Sequence, residues 1–196
     1  MSELRSDLAV IAQHVPAGAR VLDVGCGDGT LMAALRDARG IDARGLEISP
    51  EKVQLCVERG LSAIQGDANR DLVQYPDDAF DYAILSQTLQ TAERPDRMLD
   101  ELLRVGRQAF VSFPNFAYWR MRLSLLVHGK MPVTRHLPGS WYATENIHQL
   151  TIADFYDLLA EKGVKIERSW FFTSGREIGS SGANWRAEHA VFQLSR

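Results

Sequence analysis

A strand, a glycine-rich turn and a helix follow one another directly between residues 20 and 39, and this order constrains the fold more than any other feature of the chain. Arg20-Val-Leu-Asp-Val24 has the apolar run of a buried strand. Gly25-Cys-Gly-Asp-Gly29 follows at once, and Thr30 to Arg39 reads as a helix stopped by Gly40. A strand that feeds a helix through so tight a turn opens a right-handed βαβ crossover. The alternation then repeats. Ala43-Arg-Gly-Leu-Glu-Ile48, Leu61-Ser-Ala-Ile-Gln65, Phe80-Asp-Tyr-Ala-Ile-Leu85 and Gln108-Ala-Phe-Val-Ser-Phe113 read as further strands. Helices are expected from Pro50 to Arg59, with Ser49 as cap and proline at the favoured first position, and from Pro95 to Val105. A short amphipathic helix carrying Leu4, Leu8, Ile11 and Ala12 precedes them. Together these elements imply a parallel sheet with helices on both faces.

The end of the chain breaks the alternation. Thr151 opens a helix to Lys162, after which Val164 to Phe172 and Glu188 to Leu194 read as two strands with no helix between them. A Gly- and Ser-rich loop from Thr173 to Ala187 joins them, so an antiparallel hairpin at one sheet edge is expected. The expected fold class is therefore α/β, a mostly parallel seven-stranded sheet with an antiparallel C-terminal hairpin. At 196 residues the chain reads as one domain, 1–196.

Composition narrows the function classes. Apolar content of 45% and charged content of 24% are ordinary for a globular protein. A net charge of −3 gives little general attraction to nucleic acid. The two cysteines, Cys26 and Cys56, form no Cys-x-x-Cys pair, and the five histidines are scattered. No metal site and no disulfide framework is expected, and a reducing cytoplasm is the simplest setting. The apolar run in Met1 to His14 is interrupted by Glu3, Arg5 and Asp7, which suits neither a signal peptide nor a membrane span.

Acidic residues at strand ends then indicate a ligand. Asp23 lies near the end of the first strand, Glu47 near the end of the second, and Gly66-Asp67-Ala68 follows the third. The dinucleotide pattern places its third glycine at position 30, where this chain has Thr30. A carboxylate at Asp23 is awkward beside a pyrophosphate but suits an ammonium. Glu47 can accept from both ribose hydroxyls, and Asp67 from an adenine amino group. This set fits S-adenosylmethionine better than NAD. Plainer roles exist for each residue: the glycines as a tight turn, Glu47 as a cap for the helix at Pro50, Asp67 as a turn cap.

These residues resemble the class I S-adenosylmethionine-dependent methyltransferases, a Rossmann-like fold. The resemblance implies that Asp23, Gly25 and Gly27 line the methionine part of the ligand, that Glu47 takes the ribose and that Asp67 takes the adenine. Cys26, Ile48 and Ala68 adjoin them in the cofactor site, and Ser86 and Gln87 approach the methionine and transfer side. The implied cofactor is S-adenosylmethionine or S-adenosylhomocysteine. A closer resemblance lies in Val21-Leu-Asp-Val-Gly-Cys-Gly-Asp-Gly-Thr30, Gly45-Leu-Glu-Ile48, Leu85-Ser-Gln-Thr-Leu-Gln90, Ser112-Phe-Pro-Asn-Phe116 and Trp141-Tyr-Ala-Thr-Glu-Asn-Ile-His148. Together these motifs resemble the MetW family of methionine-biosynthesis proteins. That likeness implies a partner, homoserine O-acyltransferase, which the chain supports or regulates. The alternative is a methyltransferase acting on an unidentified small molecule.

Methyl transfer itself has weaker marks. Ser86-Gln-Thr-Leu-Gln90 lacks the Pro-Pro-aromatic pattern that holds an exocyclic amine, and no Pro-Cys pair follows a strand, so nucleic-acid base methylation is disfavoured. His148, His136, Tyr118 and Tyr142 are candidate bases or acceptor clamps, with ordinary packing as the plainer role. They belong to Phe116–Leu150, a segment rich in aromatic and basic residues. Three readings of it stand. It is a lid, with Arg120 or Arg122 clamping a carboxylate. It is a docking surface for a partner. Or it is a helix packed on the sheet through Leu123, Leu125, Leu126 and Val127.

Overall fold

The computed structural model describes residues 4–133 and 140–196. Five strands run parallel: β1 (Val21–Val24), β2 (Arg44–Glu47), β3 (Ser62–Gln65), β4 (Phe80–Ser86) and β5 (Gly106–Pro114). Helices α1 (Ser6–His14), α2 (Thr30–Arg39), α3 (Pro50–Glu58), the single turn α4 (Ala68–Asp71) and α5 (Pro95–Val105) precede or connect them. Local chemistry sets the boundaries. Ser49 accepts from the Lys52 N–H at the start of α3, and Gly40 closes α2 in the left-handed conformation. After β5 come α6 (Trp119–His128), α7 (Ile152–Glu161), β6 (Lys165–Thr173), β7 (Arg176–Ile178), α8 (Ala183–Arg186) and β8 (His189–Ser195).

The sheet order is β3-β2-β1-β4-β5-β8-β6-β7. The expected α/β architecture is present with eight strands rather than seven. The added strand, β7, lies inside the expected Thr173–Ala187 loop. Ser174 and Gly175 both take positive φ, 50° and 74°, and form a two-residue turn whose twist suits a hairpin. Thr173 therefore pairs with Arg176 across it. The last strand is not an edge strand. β8 enters between β5 and β6, antiparallel to both, so almost every one of its residues is buried.

Alternation along the central strands divides the core in two. Ala109, Val111 and Phe113 of β5 face α5 and α7, where Leu99, Leu102, Phe155 and Phe192 gather. Phe110 faces the other way, toward Ile11 of α1, Leu35 of α2 and Trp170 of β6. α6 departs from expectation. Met121 is its buried residue, while Leu123, Leu125, Leu126 and Val127 are all exposed. The helix starts beyond the end of β5, so its later turns have no sheet beneath them. Among the described residues no helix is long and apolar enough to cross a membrane.

Candidate functional site

The turn after β1 is stitched to the end of β2. The Gly25 and Cys26 N–H groups both donate to the Leu46 carbonyl, at 2.7 and 3.3 Å. Gly25 and Gly27 hold φ of 71° and 58°, which side-chain-bearing residues adopt at a cost. Their surroundings differ. A Cβ at Gly25 would lie 2.6 Å from Thr88 Oγ1, whereas one at Gly27 would meet open space. Gly25→Ala is therefore expected to cost about 2–4 kcal/mol in urea unfolding, strain and clash combined. Gly27→Ala should cost about 1–2 kcal/mol, from backbone strain alone.

Below the turn lies Asp23, 2% exposed. Its carboxyl accepts no hydrogen bond from the described residues. Burial and the neighbouring Glu47 carboxylate push its pKa up to about 7, against the pull of Arg5. Glu47 is also buried, but its two oxygens are used. One accepts from the Gly27 N–H at 2.8 Å and the other from the Ser49 N–H at 3.0 Å. Glu47 therefore fixes the glycine turn and the start of α3 together. An ionised carboxylate still has lone pairs for further donors.

Arg5 closes the site from the other side. Its guanidinium reaches both Asp7 oxygens at 3.1 Å and Ser86 Oγ at 3.0 Å. Asp7 is 1% exposed and accepts from Ser86 Oγ and Ser112 Oγ, each at 3.0 Å. Burial opposes its charge, but the Arg5 ion pair, the nearby His189 and the Ser112 hydroxyl hold its pKa below the ordinary carboxylate range. Arg5, Asp23, Gly25, Cys26, Gly27, Asp28, Thr30 and Ser86, with Leu4, Leu8 and Leu31, line a cavity of about 310 Å³.

The structure thus brings Asp23, Gly25, Cys26, Gly27 and Ser86 to one cavity and ties Glu47 to it through Gly27. Ile48 follows Glu47 with its side chain exposed. Asp67 caps α4, accepting from Asn69 N at 3.0 Å, and Ala68 is the first residue of that turn. Gln87 adopts a φ of 51° and donates its N–H to the Ser112 carbonyl. Cys26 packs closely under the sheet: a Cβ at Gly45 would come within 2.5 Å of its Sγ. Burial and the adjacent Asp23 raise its thiol pKa, so it serves as a small packing residue.

Arg5 and Asp7 escaped the sequence reading. They lie on the first helix, 81 and 105 positions from Ser86 and Ser112, and nothing in their local pattern marks the contact. Among the described residues, the candidate acceptor groups do not line this cavity. His148 lines a second cleft with Leu89, Pro95 and Phe155, Tyr118 is buried, and Tyr142 is exposed. Arg122 donates to the Ala117 carbonyl at 2.6 Å and lies over the Trp185 ring, while Arg120 lies over Trp119. Arg135 and His136 lie outside the described residues. No group of three or more His, Cys, Asp or Glu among the described residues is placed to hold a metal ion.

Comparison with known proteins bears on the family and the fold. A model of the methionine biosynthesis protein MetW family matches residues 5–194. A bifunctional methionine biosynthesis protein MetXA/MetW from Rhodopirellula baltica is 38% identical over 98% of this chain; the aligned part is 33% of that relative, so the chain spans a third of its length. A S-adenosylmethionine-dependent methyltransferase from Archaeoglobus fulgidus superposes with a TM-score of 0.71, covering 96% of this chain and 91% of that one at 16% identity. The corresponding values for such a methyltransferase from Mesorhizobium loti are 0.70, 97%, 98% and 18%. The structural matches establish the Rossmann-like methyltransferase fold, and with a family match across nearly the whole chain this protein belongs to the MetW family of methionine biosynthesis proteins.

Proposed function

We propose that this chain binds S-adenosylmethionine or S-adenosylhomocysteine in the cavity beside β1 and uses that ligand in supporting or regulating homoserine O-acyltransferase. The observation that carries the ligand reading is Asp23. A buried carboxyl that lacks a donor and borders a glycine-lined cavity calls for a cation, and the ligand's ammonium is one. Arg5, on the same cavity, can take the ligand's α-carboxylate. Glu47 has lone pairs left for the ribose hydroxyls, and Asp67 lies at the next strand end on the adenine side. When bound, S-adenosylmethionine supplies a sulfonium methyl group. The acidic groups hold and orient it, and the described candidate bases His148, Tyr118 and Tyr142 do not line this cavity. The partner reading draws on the family and on the bifunctional name of the Rhodopirellula baltica relative.

Titration calorimetry tests the ligand. Both adenosyl compounds are expected to bind and NAD is not; NAD binding without adenosyl binding would overturn the reading. Arg5→Gln should weaken S-adenosylhomocysteine by about 1–3 kcal/mol, the scale of a lost charged hydrogen bond. Acyltransferase assays with and without this protein test the role. An unchanged rate and unchanged stability of the acyltransferase at every ligand concentration would leave the methyltransferase alternative in its place.

A further inference from the structure

α6 holds its apolar side chains away from the body of the molecule. Leu126 is 84% exposed, Val127 63% and Leu123 49%. Trp141 and Tyr142, each 76% exposed, stand edge to face with ring centroids 5.7 Å apart. The charge on this segment is mostly positive: Arg120, Arg122 and Lys130 are exposed, and Glu145 is the one acidic residue between 116 and 150. Exposed apolar groups gathered on one helix beside cationic residues mark an interaction site. Neither Arg120 nor Arg122, the two candidate clamps of a lid, lines the cavity: Arg120 lies over Trp119, and Arg122 donates to the Ala117 carbonyl and lies over Trp185.

We propose that α6, with Trp141 and Tyr142, is the docking surface for a partner protein whose face offers an apolar groove rimmed by carboxylates. This rests on the reading that the chain supports homoserine O-acyltransferase, and that enzyme is the occupant assigned to the surface. Charge separates this partner from a second copy of the chain. Two copies paired through α6 would set Arg120, Arg122 and Lys130 against the same cations, and like charges in an interface are costly. A bilayer fits less well: α6 has ten residues and the chain as a whole carries −3.

The test is calorimetry with the purified acyltransferase of the same organism titrated into wild type, Leu126→Asp with Trp141→Ala, and the milder Leu126→Ser. Unchanged circular dichroism and unchanged S-adenosylhomocysteine affinity show that the variants are folded. Wild type is expected to bind, more weakly as salt rises, with the double variant weakened at least about 30-fold and Leu126→Ser by a smaller factor. Equal affinity for wild type and folded variants overturns this surface and leaves the partner reading intact. No binding by wild type overturns the partner reading and the assigned occupant with it. Two further outcomes also overturn the proposal. One is self-association of wild type that the variants lose. The other is flotation with phosphatidylserine vesicles that the variants lose, in the absence of variant-sensitive acyltransferase binding.

Discussion

Asp23→Asn is expected to weaken adenosyl-ligand binding strongly while leaving a folded protein that, without ligand, is more stable than the parent at pH 8. The amide is nearly isosteric and cannot pair with an ammonium as a charge. Loss of one member of a buried charge pair costs about 2–4 kcal/mol in binding, or roughly 30- to 700-fold in Kd. The stability effect runs the other way. Asp23 titrates near 7 in the folded chain against an ordinary value of 3.8. The folded state therefore keeps a proton that the unfolded chain has already lost, and stability falls as pH rises from about 4 to about 7. Above that window the full cost of the buried charge beside Glu47 is present, and asparagine removes it. The gain should be on the order of a few kcal/mol at pH 8 and vanish near pH 4. Binding has its own signature. Because the ammonium needs the ionised carboxylate, wild-type affinity should rise close to tenfold per pH unit up to about 7 and then level off. Thermal unfolding and calorimetry across pH 5–9 check both parts. A pH-independent Kd, or an asparagine variant that still binds tightly, would remove Asp23 from the role assigned to it.

Asn115→Leu is expected to be the most damaging single change outside the cavity. Asn115 is 3% exposed at the end of β5, and its side chain joins four chain segments. Nδ2 donates to the Asn184 and Ala187 carbonyls at 3.0 and 2.8 Å. Oδ1 accepts from Ala117 N at 3.1 Å and Ile152 N at 3.3 Å. One amide thus positions the approach to α6, the start of α7 and the α8 turn. Leucine has the same number of side-chain heavy atoms but leaves the buried Ala187 carbonyl, the part-buried Asn184 carbonyl and the buried Ala117 and Ile152 N–H groups without these partners. At about 1–3 kcal/mol for each buried group left unsatisfied, with partial relaxation, the loss should be about 3–5 kcal/mol. For a chain of this length that corresponds to a fall in Tm of roughly 6–20 °C. A leucine variant melting within a degree or two of wild type would contradict this account.

Much of the architecture around the β1 cavity was legible from residues 20–68 alone. Strand and helix periodicity, the left-handed glycines and the Ser49 and Asp67 caps are local properties, set by backbone sterics and by hydrogen bonds spanning two or three residues. The position of Asp23 and Glu47 at adjacent strand ends follows once the strands are parallel, and the alternation of elements requires that. The Ser174-Gly175 turn is a local signal too, and it accounts for the eighth strand. Tertiary structure decided the rest. Arg5, Asp7, Ser86 and Ser112 become one network because α1 packs against the ends of β4 and β5, and no local preference encodes a contact across 105 positions. Asn115 shows its weight only when α7 and α8 arrive beside it. α6 marks the same boundary from the other side. Its leucines specify an apolar face, but a helix acquires a cover only where the fold places another surface against it, and beyond the end of β5 no sheet lies beneath its later turns.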